Sequence, residues 1–443
     1  MMTKKAKVIG AGLAGCEAAW QLANAGIEVE LYEMKPKKYT PAHHYSGFAE
    51  LVCSNSLKAA RIESAAGLLK AEMERLGSLT VPSAKANSVE AGGALAVDRE
   101  NFSDAVTEKI RSHSLITVIE DEVTEIPDGN VIIATGPLTS DGLAESISKI
   151  CGNSLSFFDA AAPIVTSESL DKNLVFLASR YGRGEADYIN CPMNKEEYIE
   201  FYNALITAEG AELKEFDKEL FRVYEGCMPI EVLAKRGEDT MRFGPLKPVG
   251  LTDPRTGKRP YAVVQLRKEN KEGTLYNLVG FQTNLKFAEQ KRVFSKITGL
   301  ADAEFVRYGV MHRNTFINSP VLLDNHFCMK QNPDIYFAGQ MTGVEGYMES
   351  AASGIITGLS MARKLNGLEQ INLPIDTMTG ALSAYISDPF NADKFQPMGA
   401  NMGILPELDV RIKDKKLKYG AYAERAMKSL ETALRRVGYE NNC

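Results

Sequence analysis

Three glycines, Gly10, Gly12 and Gly15, follow directly on a short apolar run, Lys7-Val8-Ile9, at the start of the chain. The pattern then reads as a helix from Cys16 to Ala25, stopped at Gly26, and as a strand from Glu28 to Glu33 that closes on an acid. Each glycine meets a different steric demand. Gly10 permits a tight turn, Gly12 lets backbone approach a pyrophosphate, and Gly15 lets the helix meet the strand. The helix N-terminus then presents free N–H groups and its positive end to the phosphates. Glu33 is spaced to accept from ribose hydroxyls. The chain is therefore expected to open as a parallel βαβ unit. Its dinucleotide-binding candidates are Gly10, Ala11, Gly12, Leu13, Ala14, Gly15 and Glu33.

Two later segments point to FAD rather than NAD as the resident dinucleotide. Val131-Ile132-Ile133 is a buried-strand pattern ending in Ala134-Thr135-Gly136, similar to a signature of flavoproteins with two dinucleotide sites. Ile335 to Phe337 is a second such strand, running into Ala338-Gly339-Gln340 and on to Gly346 and Tyr347. In those flavoproteins the strand ends in Ala-Gly-Asp beside the ribityl chain; here Gln340 stands in place of the Asp. The return of the chain to the sheet near residue 335 is not needed by a plain NAD-dependent dehydrogenase.

The fold class expected is α/β, with a discontinuous Rossmann-like FAD-binding domain of the glutathione-reductase-like type and an inserted α+β domain. The expected boundaries are 1–150 and 313–443 for the two parts of the FAD-binding domain and 151–312 for the insertion. Within the insertion, Ala162–Thr166, Leu174–Ala178 and Tyr188–Cys191 read as strands, and Lys195–Glu209 and Lys214–Tyr224 as helices. Ala262–Arg267 and Leu275–Phe281 read as a hairpin. Near the C-terminus, Pro389 to Pro406 reads as a loop, and Tyr419 to Val437 as an amphipathic helix.

Composition narrows the class. Hydrophobic residues make up 44% and charged residues 24%, enough to bury a large core. No run approaches the ~20 apolar residues of a membrane helix, and the first residues lack a secretory pattern, so a cytoplasmic protein is expected. Seven cysteines are widely scattered and none forms a C-x-x-C pair, which argues against a disulfide framework, a zinc site or a dithiol reductase. The five histidines have no metal spacing, and no metal is expected. The net charge of −6 gives no global support for a nucleic-acid partner.

Two cysteines lie in unusual surroundings. Glu50-Leu51-Val52-Cys53-Ser54-Asn55-Ser56 places a thiol among cap-forming polar residues ahead of a helix-like run, Leu57 to Leu76. A thiol at a helix N-terminus ionises more easily; a small buried core residue is the other reading. Tyr224-Glu225-Gly226-Cys227-Met228-Pro229 sets the second cysteine in a turn, where the core reading is the simpler.

Taken together, these stretches resemble the folate- and FAD-dependent tRNA uracil-5-methyltransferases, relatives of the glucose-inhibited-division flavoproteins. The resemblance runs over nearly the whole chain. Beyond the glycine turn and the two cysteine stretches it includes Ala96-Val97-Asp98-Arg99, Arg242-Phe243-Gly244-Pro245-Leu246-Lys247-Pro248 and Gly339-Gln340-Met341-Thr342-Gly343-Val344-Glu345-Gly346-Tyr347. It implies an enzyme that forms 5-methyluridine at position 54 of the tRNA T-loop. Methylenetetrahydrofolate would be the carbon donor, reduced FAD the carrier and reductant, and NADH or NADPH the source of electrons. It also implies roles: Cys227 as the nucleophile at uracil C6, Cys53 as the base for the C5 proton. Uracil C5 is a poor nucleophile, and thiolate addition at C6 turns it into an enolate, so the chemistry needs such a pair.

An RNA partner would have to meet local positive charge. Arg255, Lys258, Arg259, Arg267 and Lys268 form one candidate patch; Arg411, Lys413, Lys415, Lys416 and Lys418 form another. A solvated face is the plainer reading of each. His43 and His44 are expected to border the active site, or simply to fill the loop before Cys53. Rival readings are a 23S rRNA uracil-5-methyltransferase of the same family, the longer wobble-uridine type, an NAD(P)H-dependent flavin oxidoreductase without RNA, and a non-catalytic flavin-binding module.

Overall fold

The structure, a computed structural model, describes residues 4–152, 155–160, 162–182, 185–211, 228–270, 272–309 and 311–439. Cys227 and the helix expected over Lys214–Tyr224 lie outside the described residues.

The opening strand, Lys5–Ile9, runs parallel between Glu28–Glu33 on one side and Val131–Ile133 on the other. Across the whole sheet the order is Cys328–Met329, Asn332–Phe337, Val131–Ile133, Lys5–Ile9, Glu28–Glu33, Ile116–Glu120. Only the short Cys328–Met329 edge is antiparallel. The strand that returns late in the chain is thus hydrogen-bonded to Val131–Ile133, and the two flavoprotein-like strand ends lie side by side. Val131, Ile132 and Ile133 are all buried, as a central parallel strand covered on both faces requires.

The Leu13–Asn24 helix covers this sheet and is itself crossed by the long Tyr347–Asn366 helix. The crossing is close because glycines line it. A β-carbon at Gly354 would stand 2.1 Å from the Ala14 carbonyl oxygen, and one at Gly358 would stand 2.7 Å from that of Ala18. Glycine inside a helix costs about 1 kcal/mol against alanine; here that cost is offset by the approach of the two backbones and the packing around it.

A second six-stranded sheet has the order Phe176–Leu177, Tyr188–Met193, Ala262–Lys268, Leu275–Leu278, Ile164–Thr166, Phe305–Arg307, with every neighbouring pair antiparallel. The Lys195–Ile206 helix packs on it through Tyr198, Phe201 and Leu205. That helix starts at a capping box, in which Asn194 and Glu197 each bond the other's backbone N–H. The chain enters and leaves this part through two paired strands, Leu155–Ala160 and Met311–Phe316, which run antiparallel.

The C-terminal helix spans Lys415–Arg436 and buries Tyr422, Ala426, Leu430 and Leu434 against the core. It begins four residues before the expected Tyr419, because the Asp414 carboxylate accepts the Leu417 N–H and sets the N-terminus there.

One local expectation fails. Residues after Cys53 do not start a helix: Ser56–Ala59 is a strand paired with Ala94–Val97, and the helix begins only at Ala65. Leu57 alone of that stretch is buried, which a strand satisfies. The true helix start is marked by Ser64, whose hydroxyl accepts the Gly67 N–H at 3.1 Å. Cys53 therefore does not stand at the start of the helix that follows it in sequence.

Among the described residues no helix is long and apolar enough to cross a membrane, and no group of His, Cys, Asp and Glu is arranged to hold a metal ion.

Candidate active site

At the C-terminal ends of the parallel strands lies an open cleft. Gly10, Ala11, Gly12, Leu13 and Ala14 form one wall, Ala134, Thr135 and Gly136 the next, and Gly339, Gln340 and Tyr347 the far end. Glu33 also lines it. Two of the expected residues stand back. Gly15 sits behind the turn, where a β-carbon would fall 1.7 Å from the Gly10 carbonyl oxygen. Gly346, at φ +126°, sets the start of the Tyr347–Asn366 helix.

The three glycines of the turn differ in what they permit. Gly10 has φ +97°, and a β-carbon there would meet the Ala134 carbonyl oxygen at 2.8 Å. At Gly12 φ is −72°, and a β-carbon would meet nothing within 4 Å. Gly12 is the N-cap of the Leu13–Asn24 helix, and among the described residues no side chain caps that end. Open space beside an uncapped helix N-terminus suits the pyrophosphate of a dinucleotide, so these residues fit FAD.

Glu33 is engaged with the turn itself. One carboxylate oxygen accepts the Ala11 N–H at 2.9 Å and the other accepts the Lys35 N–H at 3.0 Å. Each carboxylate oxygen can accept more than one hydrogen bond, so Glu33, which lines the cleft, can also accept from a hydroxyl. Gln340, in the place of the expected Asp, donates through Nε2 to the Glu345 carboxylate at 2.7 Å. Thr135 shares a hydroxyl–hydroxyl bond of 2.6 Å with Thr139.

Sequence reasoning missed Lys35. It lines the cleft, yet the residue is only 5% exposed, and its ammonium is held by the Tyr45 and Gly47 carbonyls and, at 3.4 Å, by Glu50. Nothing in its local pattern separates it from the exposed Lys37 and Lys38 beside it. His43 also lines the cleft, with Nδ1 2.6 Å from the Thr40 hydroxyl, and burial lowers its pKa below the usual histidine value. His44 points away and is exposed.

Cys53 stands at the edge of this cleft, between lining residues Val52 and Tyr347. The Tyr347 hydroxyl oxygen is 2.8 Å from the Cys53 backbone nitrogen, 3.2 Å from that of Ser54, and 2.9 Å from the Cys53 sulfur. Burial pushes the Tyr347 hydroxyl well above the usual tyrosine range.

The loop carrying Cys53 is gripped by three arginines. Arg99 donates to the Leu51 and Val52 carbonyls and to Glu269. Arg307 donates to the Val52 carbonyl. Arg267 donates to Asn55 Oδ1 at 2.9 Å and to the Ser54 hydroxyl at 2.7 Å. Asn55, fully buried, donates onward to the Val97 and Lys268 carbonyls, so it ties the first part of the chain to the second sheet. Burial lowers the pKa of both Arg267 and Arg307.

This placement revises the first basic patch. Arg267 is 7% exposed and faces the Cys53 loop, Lys268 is paired with Glu90, and Arg255 is paired with Asp253. A run of charges in sequence has been split between a buried seam and local ion pairs, because alternate residues of the Ala262–Lys268 strand face opposite ways. Lys415, Lys416 and Lys418, by contrast, are exposed or half-buried on the first turn of the C-terminal helix.

Comparison with known proteins follows the same lines. The family model described as glucose inhibited division protein A matches residues 5–369. The chain is 60% identical to the methylenetetrahydrofolate–tRNA-(uracil-5-)-methyltransferase TrmFO of Acetivibrio thermocellus, over 96% of this chain and 97% of that one. It is 58% identical to the protein of the same description from Enterococcus faecalis, over 96% and 98% of the two chains. Among solved structures, Aquifex aeolicus GidA is similar in fold, with a TM-score of 0.70 at 15% identity, covering 99% of this chain and 74% of that one.

Proposed function

The chain belongs to the methylenetetrahydrofolate–tRNA-(uracil-5-)-methyltransferases, within the glucose-inhibited-division protein A family, and on that premise we propose that it forms 5-methyluridine at position 54 of the tRNA T-loop. The observation that carries the reading at the site is the double engagement of Tyr347, which lines the dinucleotide cleft and bonds Cys53. A thiol is thereby held at the rim of a cleft that fits a flavin.

FAD would be held by Gly10 to Ala14 at its pyrophosphate, by Glu33 toward its ribose, and by Gly339, Gln340 and Tyr347 at its far end. When bound, it would supply carriage of the one-carbon unit from methylenetetrahydrofolate and the electrons that reduce that unit to a methyl group, with NADH or NADPH restoring it. The protein's own part is acid–base and nucleophilic. Cys227 adds its sulfur to uracil C6, which places the electron pair at C5 for attack on the carbon unit. Cys53 then takes the C5 proton on its sulfur, and expulsion of the Cys227 sulfur restores the ring. We assign 1–150 and 313–443 to flavin binding, 151–312 to the RNA-facing part, and the cytoplasm as the place of work. The basic residues Arg411 to Lys418 are the side toward which tRNA would approach.

The test is a methylation assay on unmodified tRNA transcript with FAD, NAD(P)H and methylenetetrahydrofolate labelled in the methylene carbon. Label is expected as 5-methyluridine at one T-loop position. An enzyme that oxidises NAD(P)H with flavin bound, yet leaves tRNA unlabelled, would overturn the proposal.

A further inference from the structure

The contact between Cys53 and Tyr347 joins residues 294 positions apart, and it has a direction. A tyrosine hydroxyl has one hydrogen to give and two lone pairs to receive with. The two backbone N–H groups of Cys53 and Ser54 both converge on the Tyr347 oxygen, at 2.8 and 3.2 Å. With its lone pairs so engaged, the hydroxyl has its own hydrogen left, and the Cys53 sulfur lies 2.9 Å away to accept it. The reverse arrangement, S–H donating to the oxygen, would bring a third donor to an oxygen that already has two. The raised pKa of Tyr347 keeps that hydrogen in place.

Charge acts the same way. Among the described residues, the groups set around the Cys53 loop include Arg99 at the start of the Arg99–Ser112 helix, Arg267 on the Ala262–Lys268 strand, Arg307 on the Phe305–Arg307 strand, Glu269, and Tyr347 itself. Glu90 and Asp187 lie outward of these, toward Lys268. Among the described residues these three guanidinium groups make one ion pair, that of Arg99 with Glu269, which is 4% exposed. Their other hydrogen bonds among the described residues go to neutral acceptors, the Leu51 and Val52 carbonyls, Ser54 and Asn55. Buried positive charge in excess is costly unless an anion is near, and Cys53 is among the groups close enough to each of the three arginines to raise its pKa.

We propose that Tyr347 is a positioning residue for Cys53, its hydroxyl donating to the sulfur while the Arg99, Arg267 and Arg307 set supplies the positive field, so that Cys53 waits as a thiolate. The inference rests on the reading of Cys53 as the proton acceptor, which a base must be: the sulfur has to be unprotonated before the uracil C5 proton arrives.

The experiment is site-resolved alkylation of Cys53 by iodoacetamide in the flavin-loaded enzyme, followed by mass spectrometry from about pH 6 to about pH 9. Tyr347→Phe keeps the ring that lines the cleft and removes only the hydroxyl. Alkylation at neutral pH is expected to slow by roughly tenfold, with the pH profile displaced upward and the alkaline plateau retained. In tRNA methylation, kcat is expected to fall while KM for tRNA holds. Arg307→Gln, which keeps a donor to Val52 but removes the charge, is expected to move the profile in the same direction and stands in should the tyrosine variant not fold. Profiles that coincide with the wild type in whichever of the two variants folds would overturn the inference. Cys53→Ala separates the two ideas: full methylation by it would remove the base assignment while leaving any displaced alkylation profile as measured.

Discussion

The Cα of Gly354 rests against the backbone of Ala14, so closely that a β-carbon there would stand 2.1 Å from the Ala14 carbonyl oxygen. Ala14 belongs to the cleft wall, and Gly354 to the helix that begins at Tyr347. Gly354→Ala must part these helices. Overpacking of this kind costs about 1–3 kcal/mol. A lower melting temperature together with weaker flavin retention is expected, measured by thermal unfolding and by flavin absorbance after gel filtration. Unchanged values in both would show that the crossing tolerates a methyl group.

The turn offers a sharper contrast. Gly12→Ala meets no protein atom within 4 Å, whereas Gly10→Ala combines φ +97° with an overlap on Ala134. Gly12→Ala is expected to fold with near wild-type stability in the flavin-free state yet to bind FAD at least tenfold more weakly. Gly10→Ala is expected to be destabilised with or without FAD. Urea unfolding of both apo variants, with a flavin titration, checks the pair.

Glu72 gives stability a pH dependence. Its carboxyl is fully buried and accepts the Met378 and Thr379 N–H groups and the Thr379 hydroxyl, capping a helix more than 300 residues away. Burial pushes its pKa up from 4.5 to about 7. A raised carboxyl pKa means that the folded state holds the proton more tightly than the unfolded one. Its contribution is therefore complete below about pH 4.5 and is lost as pH rises through about 7, on the order of 3 kcal/mol in all. Glu72→Gln removes the titration and adds a constant offset for the changed hydrogen bonds. The stability difference between wild type and variant, from urea unfolding at about pH 5 and about pH 8, is expected to shift in favour of the variant at the higher pH.

Asn55 is a third kind of target. Its side chain alone bonds the Val97 and Lys268 carbonyls and Arg267. Asn55→Ala deprives three partners at once, two of them buried, at roughly 1 kcal/mol each. Lower stability is expected, and with it loss of methylation beyond that of an equally destabilised core variant, because the loop that carries Cys53 is bounded by this residue. A variant that loses stability but keeps its turnover would separate the seam from the chemistry.

The parts of the fold that could be read from sequence are those decided locally. The strand, glycine turn, helix and strand from Lys5 to Glu33 follow from apolar periodicity and backbone sterics within thirty residues, and the observed Glu28–Glu33 strand has the expected bounds. The stretch after Cys53 reads as helix from Leu57 because the helical spacing of Leu68, Leu69, Met73 and Leu76 further on, which does form a helix from Ala65, gives no local mark of where that helix begins. Tertiary pairing with Ala94–Val97 overrides that reading. Arg267 was misplaced for a related reason: charge in a sequence run says nothing of which face of a strand each residue takes. The bond between Tyr347 and Cys53 and the burial of Lys35 are products of long-range folding, and no local pattern carries them.

The strands Leu155–Ala160 and Met311–Phe316 lie side by side, with Leu155 opposite Phe316 and Ala160 opposite Met311. The chain therefore leaves the flavin-binding sheet and comes back to it through a single doorway. A change of length beyond that doorway need not re-thread the strands of the nucleotide cleft. The polar seam of Asn55, Arg267 and Arg307 is where such a change has to be matched, since a replacement that omits those contacts would keep the flavin and lose its grip on Cys53.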